Sequence, residues 1–131
     1  MFITIISFLV VFTVVAVVHE FGHLIFSKRA GIAVPEFGIG FGPTLFSFTR
    51  HNTKYCLNLI PILGYVKISG IDASDEEEKN VPEDQKYYNK PVGAKFMSIF
   101  AGPAMNLVLG FLIFSFIIMF TGIPDKISNE I

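Results

Sequence analysis

Residues 17–31 read VVHEFGHLIFSKRAG. Two histidines and a glutamate stand here at the end of a run apolar enough to lie in a lipid bilayer. From Phe2 to Val18 only Thr4, Ser7 and Thr13 interrupt that run, and its helical pattern continues through His19 to Phe26. About 25 residues at roughly 1.5 Å each cross a hydrocarbon layer of about 30 Å. A second block, Phe96 to Gly122, contains no charged residue and passes the same arithmetic. With 52% hydrophobic residues, the chain is too apolar for an ordinary soluble domain. The expected fold class is membrane α-helical: two transmembrane helices, 1–27 and 95–122, joined by a loop.

A cleaved leader fits the N-terminus poorly. Such a segment opens with positive charge and ends at small residues, whereas here no Lys or Arg precedes Lys28 and the run ends in His-Glu. The net charge of -1 offers nothing to nucleic acid. Cys56 is the single cysteine, so the chain has no internal disulfide and no thiolate metal cluster of its own.

Nine of the 10 Lys and Arg residues lie between the two blocks. By the positive-inside rule residues 28–95 are expected in the cytoplasm and both termini outside. The loop divides by composition. Within the expected β-loop, 28–70, residues 36–70 are rich in Phe, Ile, Leu, Gly and Tyr, and alternate around Leu45 to Phe48 and Tyr55 to Leu59. A break at His51-Asn52-Thr53 predicts short strands joined as a hairpin. They are too apolar for a water-exposed loop, so a membrane-associated β-loop is expected, resting at the interface or edging a protein-lined cavity. Residues 71–94 open with the acidic stretch DASDEEEKNVPEDQK after Ile71 and predict a polar, mobile cytoplasmic segment. Residues 123–131 are expected to begin an external segment.

His19 and His23 are four apart and share one helix face, with Glu20 on the adjoining edge. This is metal-ligand spacing. Zinc suits two imidazoles and a carboxylate with one position left for water, and Glu20 is placed to act as the base. Ionisable groups inside a spanning helix are costly and usually mark a site. On the second helix, AGPAMNLVLG (101–110) sets Gly102, Asn106 and Gly110 every four residues. That stripe suits close helix packing, and Asn106 is a candidate to hydrogen-bond substrate backbone or a reaction oxyanion.

These motifs together resemble those of the site-2 proteases, membrane-embedded zinc metalloproteases, of the bacterial type that cleaves transmembrane anti-sigma factors. HEFGH (19–23) resembles the family's metal motif. FGIGFGP (37–43) and PILGYVKISG (61–70) resemble its β-loop, and AGPAMN (101–106) its second-helix signature. The resemblance covers nearly the whole chain and implies Zn2+ held by His19 and His23, with Glu20 catalytic. It also implies a multi-pass protein of the bacterial plasma membrane acting in regulated intramembrane proteolysis on an anti-sigma-factor-like transmembrane substrate. Tyr55, Leu57, Leu59, Gly64 and Tyr65 are expected near the bound substrate strand, with Asn106. Two departures stand out. Leu63-Gly64 replaces the family's double glycine, and no Asn-Pro…Leu-Asp-Gly pattern supplies the aspartate that serves as third metal ligand. Glu36, Asp72 and His51 are local substitutes, none in a pattern that aims it at the helix. The reading is therefore the N-terminal half of such an enzyme, inactive alone and partnered by a further C-terminal part of the same protein. The competing reading is a small, non-catalytic two-helix membrane protein that binds metal or a partner.

Overall fold

The structure is a computed structural model that describes residues 1–123; the expected external segment falls, from residue 124 onward, outside the described residues. Helix α1 spans Phe2–Arg29, strands β1 and β2 span Glu36–Arg50 and Thr53–Lys67, a one-turn helix α2 spans Asp75–Glu78, and α3 spans Val92–Thr121. Both long helices are long and apolar enough to cross a membrane. Lys28 and Arg29 close the last turn of α1, where cations complement the helix dipole. Pro91 precedes α3, so this helix starts earlier than the apolar count predicts.

The hairpin turn falls where expected. His51 (φ 49) and Asn52 (φ 62) are both left-handed, as a two-residue turn matching the twist of the flanking strands requires. The strands differ from expectation: each is 15 residues long and bends midway, so the pair folds back on itself. Residues 44–50 pair antiparallel with 53–58. Residues 36–39 run beside 54–57 in matching order, and on their other side pair antiparallel with 64–67. Asn58 fixes the bend, because its amide donates to Gly40 O at 3.0 Å and accepts from Thr44 Oγ1 at 3.0 Å. Gly40 has φ +81 and lies against the backbone of Ile60 and Pro61, where a Cβ has no room. These bonds tie the Asn58 side chain to a backbone carbonyl and to the Thr44 side chain across the bend, which alternation along the sequence does not reveal.

The small core lies at the folded-back end. Leu24 of α1 packs with Val34 and Phe37, flanked by Val17, Ile39, Tyr55 and Val66. Residues 41–50 are exposed throughout, Phe41, Leu45, Phe46 and Phe48 included.

Leu63 has φ 70, in the left-handed region that costs a non-glycine residue about 1–3 kcal/mol. Its N–H donates to Thr13 Oγ1 of α1 at 3.2 Å, which fixes this conformation. Leu63→Gly is accordingly expected to match or raise the thermal midpoint, and Leu63→Val to lower it by an amount equivalent to about 1–2 kcal/mol. Thermal unfolding in detergent, followed by circular dichroism, checks both.

The acidic stretch is tied to its neighbours by specific hydrogen bonds. Glu78 accepts from Ser69 Oγ at 2.7 Å and Gly70 N at 2.6 Å. Tyr87 N donates to Ser69 O at 2.8 Å, and Ala33 N to Gln85 O at 2.9 Å. Ser74 and Glu77 form a capping box on α2, and Lys67 bridges Glu36 (3.0 Å) and Glu77 (3.1 Å). Composition counts charge; it does not show that each carboxylate finds a donor. Burial alone would raise the pKa of Glu77, but its bonds from Ser74 and Lys67 outweigh that and lower it. A depressed carboxylate contributes stability above the ordinary carboxylate range and loses it as pH falls through the depressed value. The hydrogen bond to Glu36, then that to Glu77, raises Lys67, so its share is held at neutral pH and lost only when strongly alkaline. Amides of residues 74–78 are expected to lose hydrogen-exchange protection below the ordinary carboxylate range, after correction for intrinsic rates.

Candidate metal centre

Helices α1 and α3 run antiparallel, and three layers one turn apart face each other across them. Ser27 meets Ser98 (Oγ to Oγ 2.5 Å), His23 faces Gly102, and His19 meets Asn106. The i, i+4 spacing of 19, 23, 27 against 98, 102, 106 places each set on one face. Glycine makes the approach possible. A Cβ on Gly102 would meet His19 Nε2 at 2.6 Å and would also run into His23 Nε2, while one on Gly22 would meet Ala101 O at 2.5 Å. Gly110, the third member of the small-residue stripe, has nothing within 4 Å, so the stripe packs only in its first half.

The two imidazoles converge. Their Nε2 atoms are 3.1 Å apart and their rings meet edge to face with centroids 4.8 Å apart. His23 Nδ1 donates to Ser98 O at 2.7 Å, and Asn106 Nδ2 lies 3.2 Å from His19 Nδ1. Imidazoles that ligate a metal through one nitrogen are held in this way through the other. Zinc therefore fits these residues as far as two ligands go. Among the described residues no third His, Cys, Asp or Glu joins them in a ligand group. Glu36 is bound to Lys67 and accepts from Cys56 Sγ, and His51 sits in the hairpin turn. Asp72 lies on the rim of the neighbouring cleft.

That cleft, about 410 Å³, is lined by Glu20 and His23 from α1, Gly64 and Tyr65 from β2, Asp72, and Ile99 of α3. Of the residues expected near substrate, Gly64 and Tyr65 thus lie beside Glu20. Tyr55 and Leu57 line a separate apolar pocket with Phe37 and Phe48, and Leu59 is exposed. Tyr55 and Leu57 belong to an inner row of the folded-back sheet and 64–67 to an outer one, which two simple strands would not separate. Asn106 faces His19 instead of the cleft. Ser27 and Ser98 were not singled out from the sequence, although both lie four residues from a motif position.

Residues 7–130 match the profile of peptidase family M50. The chain belongs to that family, the site-2 proteases. Among relatives of this M50 chain, a protein of Brucella melitensis, provisionally named a zinc metalloprotease, is 44% identical over 125 residues. The alignment covers 86% of this chain and 32% of that protein. The zinc metalloprotease RasP of Oceanobacillus iheyensis is 29% identical, covering 92% of this chain and 46% of its own length. A Staphylococcus aureus protein with a provisional zinc metalloprotease name is 27% identical, covering 98% and 47%. The chain thus spans from 32% to 47% of the length of these curated relatives.

Proposed function

We propose that this chain contributes two metal ligands, His19 and His23, and the general base, Glu20, of an intramembrane zinc endopeptidase that cleaves transmembrane protein substrates. The observation that carries the reading is the convergence of the two Nε2 atoms beside a cleft that also holds Glu20. When bound, zinc supplies Lewis acidity toward a peptide carbonyl and makes water easier to deprotonate. Glu20 accepts the water's proton and hands it to the leaving amine, while the histidines' outer hydrogen bonds keep both rings aimed.

A helical substrate hides its scissile bond within its own hydrogen bonds and must unwind first. Among the described residues the row 64–67 pairs as a strand with 36–39 on one side only, so an unwound segment can add to its other edge as a strand. Gly64 and Tyr65 then border the segment as it passes Glu20. Several uncovered apolar side chains support a lipid setting: Phe8 is 64% exposed and Phe111 72%, as in a surface that meets lipid. In this reading residues 28–95 face the cytoplasm of a bacterium, the chain is multi-pass in the plasma membrane, and the substrate is an anti-sigma-factor-like protein. An aspartate from a further part of the same protein completes the zinc site. A cysteine introduced at Ser74 should react with an impermeant reagent only after the cells are opened. Labelling in intact cells would reverse the topology.

The lack of a third ligand among the described residues favours one other reading, a non-catalytic metal-binding membrane protein. With the proposed C-terminal part present, a purified transmembrane peptide cleaved by wild type and spared by Glu20→Gln decides for the protease; no cleavage by that zinc-loaded wild type decides against it.

A further inference from the structure

Asn106 Oδ1 is buried and, among the described residues, has no hydrogen-bond partner, an arrangement that costs about 1–3 kcal/mol. The protons on the histidine pair explain why it is tolerated. A carbonyl only accepts, so the 2.7 Å contact with Ser98 O puts the proton of neutral His23 on Nδ1 and leaves its Nε2 a bare lone pair. His19 Nε2 lies 3.1 Å from that lone pair. Two lone pairs at that separation repel, so a proton or a cation must lie between them.

A proton there makes His19 the Nε2–H tautomer, whose Nδ1 is an acceptor. Asn106 Nδ2, at 3.2 Å, is then its donor, which leaves Oδ1 against the buried wall. A cation there requires Nε2 to be bare, so the proton moves to Nδ1, which now needs an acceptor. Turning the amide by about 180° supplies Oδ1, since the two ends of an amide are nearly the same shape. Either orientation leaves one amide atom facing the same wall. The amide therefore has little preference of its own, and whatever occupies the space between the histidines decides.

We propose that Asn106 is a positioning residue that switches the tautomer of His19, with its amide donating to Nδ1 when the metal is absent and accepting from Nδ1–H when it is present. The inference rests on the proposed metal reading. It assigns Asn106 a task different from contact with substrate, and it links α3 to metal loading through one rotatable group.

The test uses the protein in detergent micelles with histidine side chains labelled with nitrogen-15, and zinc alone as the probe. His19 is expected to show the Nε2–H pattern without zinc and the Nδ1–H pattern with it. Asn106→Asp, whose carboxylate only accepts, should show Nδ1–H in both states and retain zinc affinity. Asn106→Leu, which can do neither, should weaken zinc binding about 10–100-fold with unchanged helix content. An unchanged His19 tautomer in the wild type on adding zinc overturns the switch, as does equal affinity in a folded Asn106→Leu variant. If zinc leaves the histidine signals of the wild type untouched, the metal reading falls and the switch falls with it. If Asn106→Leu does not fold, the wild-type and Asn106→Asp spectra still decide.

Discussion

With the proposed C-terminal part present, protein carrying Glu20→Gln is expected to keep its zinc and lose cleavage of a transmembrane substrate by about 10²–10⁴-fold, the usual worth of a positioned acid or base. The amide of Gln has nearly the shape of the carboxylate but cannot take up a proton at neutral pH, so the cleft wall stays in place while proton transfer stops. The distribution of groups makes the separation clean. The two Nε2 atoms converge on each other at 3.1 Å, whereas Glu20 opens onto the cleft shared with Gly64 and Tyr65. Substrate affinity should change little, since the edge row 64–67 is untouched. The result is read as a fall in kcat with zinc content unchanged. Equal loss of zinc would mean that Glu20 is a ligand.

The second large effect is expected from Gly102→Ala. One methyl group at this position meets both ring nitrogens proposed to hold the metal. The rings can yield only by turning, which breaks the His23 bond to Ser98 O, or by forcing the helices apart, which opens the buried Ser27 to Ser98 contact. Either response displaces ligands by a distance on the order of 1 Å, and misplacement of that size costs about 10²-fold. Zinc affinity and cleavage should fall together by at least about that factor. Gly110→Ala is the matched control. It removes a helical glycine where nothing lies within 4 Å, so it should leave zinc binding unchanged and favour the helix by up to about 1 kcal/mol. Equal effects at 102 and 110 would mean that the helices do not pack as described.

The histidine pair and its glutamate were legible in the sequence because a helix converts spacing directly into direction: four residues apart means one face. The two long helices were legible because a bilayer sets their length. The sheet was legible only in part. His51 and Asn52 mark the turn, but the fold-back depends on Asn58 reaching Gly40 and Thr44 across the chain, and the sequence does not say which distant backbone group a buried amide will find. The same limit explains the acidic stretch, where Glu77 and Glu78 bind Lys67, Ser69 and Gly70, and the separation of Tyr55 and Leu57 from the cleft. Asn106 stood out as an anomaly in an apolar helix, yet its partner His19 is 87 residues away. Leu63 is a converse case. Its departure from the family's double glycine is visible in the sequence, and the structure gives it a physical consequence in a left-handed φ.

The claim on which the rest depends is that His19 and His23 hold the metal and Glu20 does not. A zinc competition titration of the purified protein with its proposed C-terminal part present, as wild type, Glu20→Gln and the His19→Ala, His23→Ala double variant, each checked for helix content, addresses it directly. One bound zinc with similar Kd is expected for the wild type and Glu20→Gln, and no specific zinc for the double variant. Zinc retained at full stoichiometry and affinity after loss of both histidines would contradict it.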